Sequence, residues 1–102
     1  METKLKIADR SELKLVEKYM GYTESYLSEN VSWNDIMPVV DKIENEDVGR
    51  GIMFVTIVGE RCKIAFNDER ETIYAETVSS EVKSKIESVW KTIIKYLTLK
   101  QQ

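Results

Sequence analysis

Residues 79–99 read Ser-Ser-Glu-Val-Lys-Ser-Lys-Ile-Glu-Ser-Val-Trp-Lys-Thr-Ile-Ile-Lys-Tyr-Leu-Thr-Leu, and their spacing decides the fold. Val82, Ile86, Val89, Trp90, Ile93, Ile94 and Leu97 recur at the i, i+3, i+4, i+7 intervals of one helical face. A face that apolar must be buried. Glu81, Lys83, Lys85, Glu87, Lys91 and Lys95 fill the other flank, and the order Glu81 to Lys85 and Glu87 to Lys91 is the favourable one for helical ion pairs. Ser79 or Ser80 is a natural N-cap, Glu81 sits at the positive end of the macrodipole, and Lys95 and Lys100 sit near the negative end. The spacing therefore predicts one helix from Ser79 to about Leu99. Each large side chain fully buried on it contributes about 1.5–3 kcal/mol, which makes the helix a main wall of any single core.

Upstream lies the β portion. Ile52-Met53-Phe54-Val55-Thr56-Ile57-Val58 is rich in β-branched and aromatic residues and apolar on both faces, the pattern of a strand covered on both sides. Gly59-Glu60 suits a two-residue hairpin turn with glycine at the first central position. From Arg61 to Asn67 the alternation is clean, with Cys62, Ile64 and Phe66 on one face and Arg61, Lys63 and Ala65 on the other. Asn67 to Arg70 turns the chain, and Glu71 to Val78 makes a third strand with Ile73, Ala75 and Thr77 sharing a face.

The N-terminal half is helical. Asp9-x-x-Glu12 is a capping box, Leu13, Val16 and Met20 lie along one stripe, and Gly21 is the natural stop. Tyr22 to Val31 has no period and reads as a loop of about ten residues, longer than the usual connection. Ser32 opens a second helix with Trp33, Ile36, Met37, Val40 and Ile43 on one stripe; Pro38 fits best if a tight first turn precedes a regular helix to about Glu46. Glu44-Asn45-Glu46-Asp47 reads as its solvated, acidic end. The order α-α-β-β-β-α predicts a single α+β domain over residues 1–102, a three-stranded antiparallel sheet flanked by helices, with the last helix on one face and the first two on the other. A meander leaves Ile52 to Val58 at an edge. Such an apolar edge calls for cover by a helix, by Leu5 to Ala8, or by the same strand of a second copy, a homodimer through residues 52–58.

Three stretches carry a resemblance: Lys18-Tyr19-Met20-Gly21-Tyr22, then Ser32-Trp33 with Met37-Pro38-Val39-Val40-Asp41-Lys42-Ile43-Glu44, and Lys85-Ile86-Glu87-Ser88-Val89-Trp90-Lys91. With them, residues 16 to 97 resemble a group of small phage and prophage proteins similar to the phage α-β-α sandwich domain family. The resemblance implies helix-sheet-helix layering and a phage or bacterial cytoplasmic setting, and it brings no catalytic residue with it.

Composition narrows the function. With 102 residues the chain buries about 65% of its unfolded surface, enough for one core without a staple. It has one cysteine and no histidine, so an internal disulfide, the usual zinc sets and Ser-His or Cys-His machinery fall away. Cys62 shares its face with Ile64 and Phe66 and reads as a small core residue. The acidic side chains Glu60, Asp68, Glu69, Glu71 and Glu76 stand where turns and strand faces are normally charged. No enzyme, metal or cofactor is expected. A net charge of −3 does not point to nucleic acid, and the longest apolar run, Ile52 to Val58, is far short of a membrane span.

What composition leaves is a binding module; the resemblance implies the cytoplasm of a bacterial host as its setting, with an anti-defence inhibitor docked on a host protein as its concrete form. Tyr22, Tyr26 and Trp33, around the irregular loop, are the partner-binding candidates because tyrosine and tryptophan concentrate at interface hot spots. The alternative is a small-ligand, nucleotide-sequestering protein acting as an oligomer, with Arg50, Arg61 and Lys63 offering phosphate contacts.

Overall fold

The computed structural model describes residues 4–5, 8–23, 25–46, 51–67 and 69–101. Its elements run β1 (Lys4–Leu5), α1 (Arg10–Met20), β2 (Val31–Ser32), α2 (Trp33–Glu44), β3 (Ile52–Val58), β4 (Arg61–Asn67), β5 (Glu71–Thr77), a 3-10 turn (Ser79–Glu81) and α3 (Lys85–Lys100). The α+β reading holds: β3, β4 and β5 form an antiparallel meander in that spatial order. The short β1 pairs with β2 away from it, Lys4 opposite Ser32 and Leu5 opposite Val31.

Local chemistry sets the helix ends. Ser11 donates its backbone N–H to Asp9 Oδ1 at 2.8 Å, and the Asp9 N–H returns to Glu12 Oε1 at 3.1 Å, so the capping box opens α1 as its sequence demands. Gly21 closes it at φ +75°, a left-handed conformation that glycine adopts without a Cβ penalty. At α2 the Asp35 carboxylate accepts from the Ser32 N–H at 3.0 Å and from its hydroxyl at 3.2 Å. Helix therefore begins at Trp33, not after Asp35, and Pro38 lies inside it with no N–H for the Asn34 carbonyl. Its inward stripe is Ile36, Val39, Val40 and Ile43, while Met37 is exposed.

The last helix is shorter than its periodicity predicts. Ser79–Glu81 form a separate turn, Val82 is extended, and α3 starts at Lys85, where Ser84 Oγ accepts from the Glu87 N–H at 3.3 Å. Glu81 serves the turn, accepting from the Val78 N–H at 2.9 Å, and pairs with Lys95 at 3.0 Å instead of with Lys85. The expected Glu87 to Lys91 pair is present at 3.9 Å.

All three helices cover one face of the sheet. α3 packs across β4 and β5, α2 packs on β3, and α1 closes over both helices. Between the layers lies one core, built from Leu13 and Val16, Ile36, Val39, Val40 and Ile43, Met53, Cys62, Ile64 and Ala75, and Ile86, Val89, Trp90, Ile93 and Leu97. Trp90 is buried, and its indole N–H donates to Glu12 Oε1 at 3.1 Å. Among the described residues no helix lies on the second face, where the first two were expected, and none covers the outer side of β3: Ile52 and Val58 remain 66% and 64% exposed.

The third strand departs from strict alternation. Ile64 pairs with Ala75 but Ala65 pairs with Ile73, so Tyr74 is an extra residue in β5. This bulge moves Ile73 to the open face, where it is 48% exposed, while Ala75 and Thr77 stay buried. At the other end, the β3–β4 turn has Gly59 at φ +58°, as the predicted hairpin requires. The outer edges meet charged side chains: the Val55 N–H donates to Glu44 Oε2 at 3.4 Å beside β3, and Lys95 Nζ donates to the Glu76 carbonyl at 2.9 Å beside β5. A helix residue thus faces the β3 edge; of the alternative cover, Leu5 to Ala8, Leu5 pairs with Val31, and residues 6 and 7 lie outside the described residues.

Candidate functional site

The segment after α1 is an ordered loop. Its anchor is Leu27, whose side chain is buried in the core. A buried backbone group must find a partner, and here both of Leu27's do so on α1. Its N–H donates to Glu17 Oε2 at 2.8 Å, and its carbonyl accepts from Arg10 Nη1 at 3.2 Å. The other Arg10 nitrogen donates to Ser25 Oγ at 3.0 Å and lies 3.8 Å from Glu17 Oε1. Arg10 and Glu17 lie two helical turns apart on one face, so the two charges grip the loop between them. Ser25 has φ +65°, an unfavourable conformation for a residue with a Cβ, and its bond to Arg10 helps hold it there.

Glu17 is a charge buried to 3% exposure in a protein that could have placed an apolar residue there. Among the described residues its Oε1 accepts no hydrogen bond, and Arg10 compensates it on that side. Burying a carboxylate is costly unless it is bonded, and what this one bonds is the loop. The loop presents two tyrosines with ring centroids 4.3 Å apart and planes tilted by 36°. Tyr22 is half-buried and rests on the core, whereas Tyr26 is 63% exposed. Beside them Lys14, Glu17, Lys18 and Tyr22 line a depression of about 250 Å³.

The predicted trio is divided. Tyr22 and Tyr26 meet, while Trp33 is half-buried against the core at the start of α2 and joins neither ring pair. Of the predicted phosphate contacts, Arg50 lies outside the described residues. Arg61 and Lys63 do share the open face of the sheet, lining a depression of about 220 Å³ with Thr56, Val58 and Glu76. Lys63 is engaged, however, 2.7 Å from Glu71 and with its ammonium 6.0 Å from the Phe54 ring. Cys62 is buried; desolvation pushes its thiol pKa up, outweighing bonds that favour the thiolate, so it is a poor nucleophile. Among the described residues no three Cys, Asp or Glu side chains converge as a metal ion would need.

A second cluster was hidden in the acidic run after α2. Glu46 is turned inward, not solvated: Tyr19 donates to its Oε2, Tyr96 to Oε1 at 2.6 Å, and Lys100 Nζ to Oε1 at 3.0 Å. Burial alone would raise its pKa, but these three donors together hold it below the ordinary 4.5. Burial, then the bond to Glu46, pushes both phenols well above their ordinary 10. Lys42 completes the end of the molecule, 4.8 Å over the Tyr19 ring. A carboxylate so fully bound ties α1, α2 and α3 together and offers little to a substrate.

A scan against family models, a search of curated proteins and a search of solved structures each return no match. Among the described residues no helix is long and apolar enough to cross a membrane.

Proposed function

We propose that the chain is a non-enzymatic binding module that docks a partner protein through the loop bearing Tyr22 and Tyr26. The observation that carries this reading is the clamp: Arg10 and the buried Glu17 of α1 bind both backbone groups of Leu27 and so fix a loop whose outer surface is a tyrosine pair. Binding loses affinity to every group it must order, and rigid aromatic anchors lower that cost. A loop needed only to join α1 to α2 requires neither the buried carboxylate nor the exposed ring. The resemblance to small phage proteins makes a bacterial host protein the partner sought, and inhibition of a host defence the role.

The test is capture from bacterial lysate with tagged wild-type protein and Tyr26→Ser. Tyr26 is largely exposed, so its loss should leave the melting temperature within about 2 °C. A stoichiometric protein retained by the wild type and lost by the variant supports the reading. Retention unchanged in Tyr26→Ser and in Tyr22→Ser contradicts it.

A further inference from the structure

Two depressions meet at Lys18, one of them beside the tyrosine loop, and the charge around them describes what fits there. Lys18 lines two adjoining depressions: the one beside Tyr22, and one of about 220 Å³ with Leu15, Tyr19, Leu97 and Lys100 between α1 and the end of α3. Two acids near this surface are turned inward, although one Glu17 oxygen accepts no hydrogen bond among the described residues. Glu17 is buried against Arg10 and the Leu27 amide, and Glu46 is held by Tyr19, Tyr96 and Lys100. The bases are not. Lys14 and Lys18 are exposed, lie one helical turn apart, and have no ion pair or side-chain hydrogen bond among the described residues. A chain of net charge −3 therefore presents a positive strip here, floored by Leu15 and Leu97 and ended by an aromatic pair.

Building on the binding reading above, we infer that the partner lies across these depressions as an acidic peptide segment, carboxylates toward Lys14 and Lys18 and an apolar side chain beyond Lys18 toward Leu15 and Leu97. A nucleic acid fits less well. Its affinity grows with the number of phosphates neutralised, and two free ammonium groups neutralise few. An acidic segment gains from the same two charges and also from the apolar floor, which a phosphate backbone cannot use.

The probe is a fluorescein-labelled peptide of ten alternating glutamates and leucines, followed by anisotropy against the full chain. Binding should weaken as salt rises from about 0.05 to about 0.3 M, and Lys18→Glu should weaken it about tenfold or more. Lys83→Glu makes the same charge change at an exposed position before α3 and should alter it less than about twofold. Both variants should melt with the wild type. Equal losses in the two variants would reduce the effect to net charge and overturn the inference, as would absence of peptide binding, or displacement of the peptide by single-stranded DNA at lower concentration. If a captured partner depends on Tyr26 yet is indifferent to Lys14→Glu and Lys18→Glu, the acidic-segment inference fails while the tyrosine docking stands; if it is indifferent to all of them, both fail.

Discussion

Replacing Glu17 by alanine isolates the clamp. The substitution removes a buried charge, which by itself relieves a desolvation penalty, but it also strands the Leu27 N–H that Glu17 accepts from at 2.8 Å. Arg10 can turn to water because its side chain is 38% exposed. The Leu27 amide cannot, since the residue is buried. Its loss then dominates, at about 2–3 kcal/mol for an unsatisfied buried donor together with a lost charge-assisted bond. For a domain near 100 residues this lowers the melting temperature by about 10–20 °C. Glu17→Gln keeps a carbonyl acceptor and should lose less than half as much. Thermal denaturation followed by circular dichroism measures the stability, and hydrogen exchange at the Leu27 amide measures the loop. A melting temperature within about 2 °C of wild type, with Leu27 exchange unchanged, would refute the clamp as the organiser of the loop.

Four other perturbations test the rest of the architecture. A Cβ at Gly51 would stand 2.3 Å from the Phe66 ring and 2.6 Å from the Asn67 carbonyl, so Gly51→Ala should cost about 1–3 kcal/mol, seen as a lower urea midpoint at unchanged slope. Glu46, its pKa lowered on folding, contributes stability that is present above the ordinary carboxylate range and lost as pH falls through the lowered value. Urea titrations between about pH 6 and pH 3 should therefore show a flatter acid limb for Glu46→Gln than for wild type. Tyr19 and Tyr96 work in the opposite direction: their raised pKa values give stability that is complete below pH 10 and lost above it. Their phenolate absorbance should emerge only with alkaline unfolding, a late component that Tyr96→Phe reduces. Glu44→Ala uncovers the Val55 N–H at the β3 edge and should increase self-association in sedimentation velocity; an unchanged coefficient at high concentration would show that the edge is protected some other way.

Features written in adjacent residues were legible in the sequence. The Asp9–Glu12 box, the Gly21 stop, the Gly59 hairpin and the alternation of Cys62, Ile64 and Phe66 are local patterns, and each stands where it was read. Val82 misled because it falls on the helical spacing behind two serines that can both cap; instead Glu81 closes a separate turn by accepting from the Val78 N–H, and it also reaches Lys95 across 14 residues. Ile73 misled because a bulge has no sequence mark of its own. The site was half legible. Tyr22 and Tyr26 were found because aromatics in an aperiodic stretch stand out, but Glu17 and Glu46 look like any polar flank, and their partners Leu27 and Tyr96 lie 10 and 50 residues away. Trp33 has the composition of a hot spot and the surroundings of a core residue, a distinction only the packing makes.

If the clamped tyrosine loop is the docking surface, a partner meets it and not the open face of the sheet. Hydrogen exchange of the chain alone and in complex with its captured partner separates the two. New protection is expected at amides within residues 14–27 and none on β3. Protection confined to β3 and β4, with residues 14–27 exchanging as in the free protein, would contradict docking at the loop.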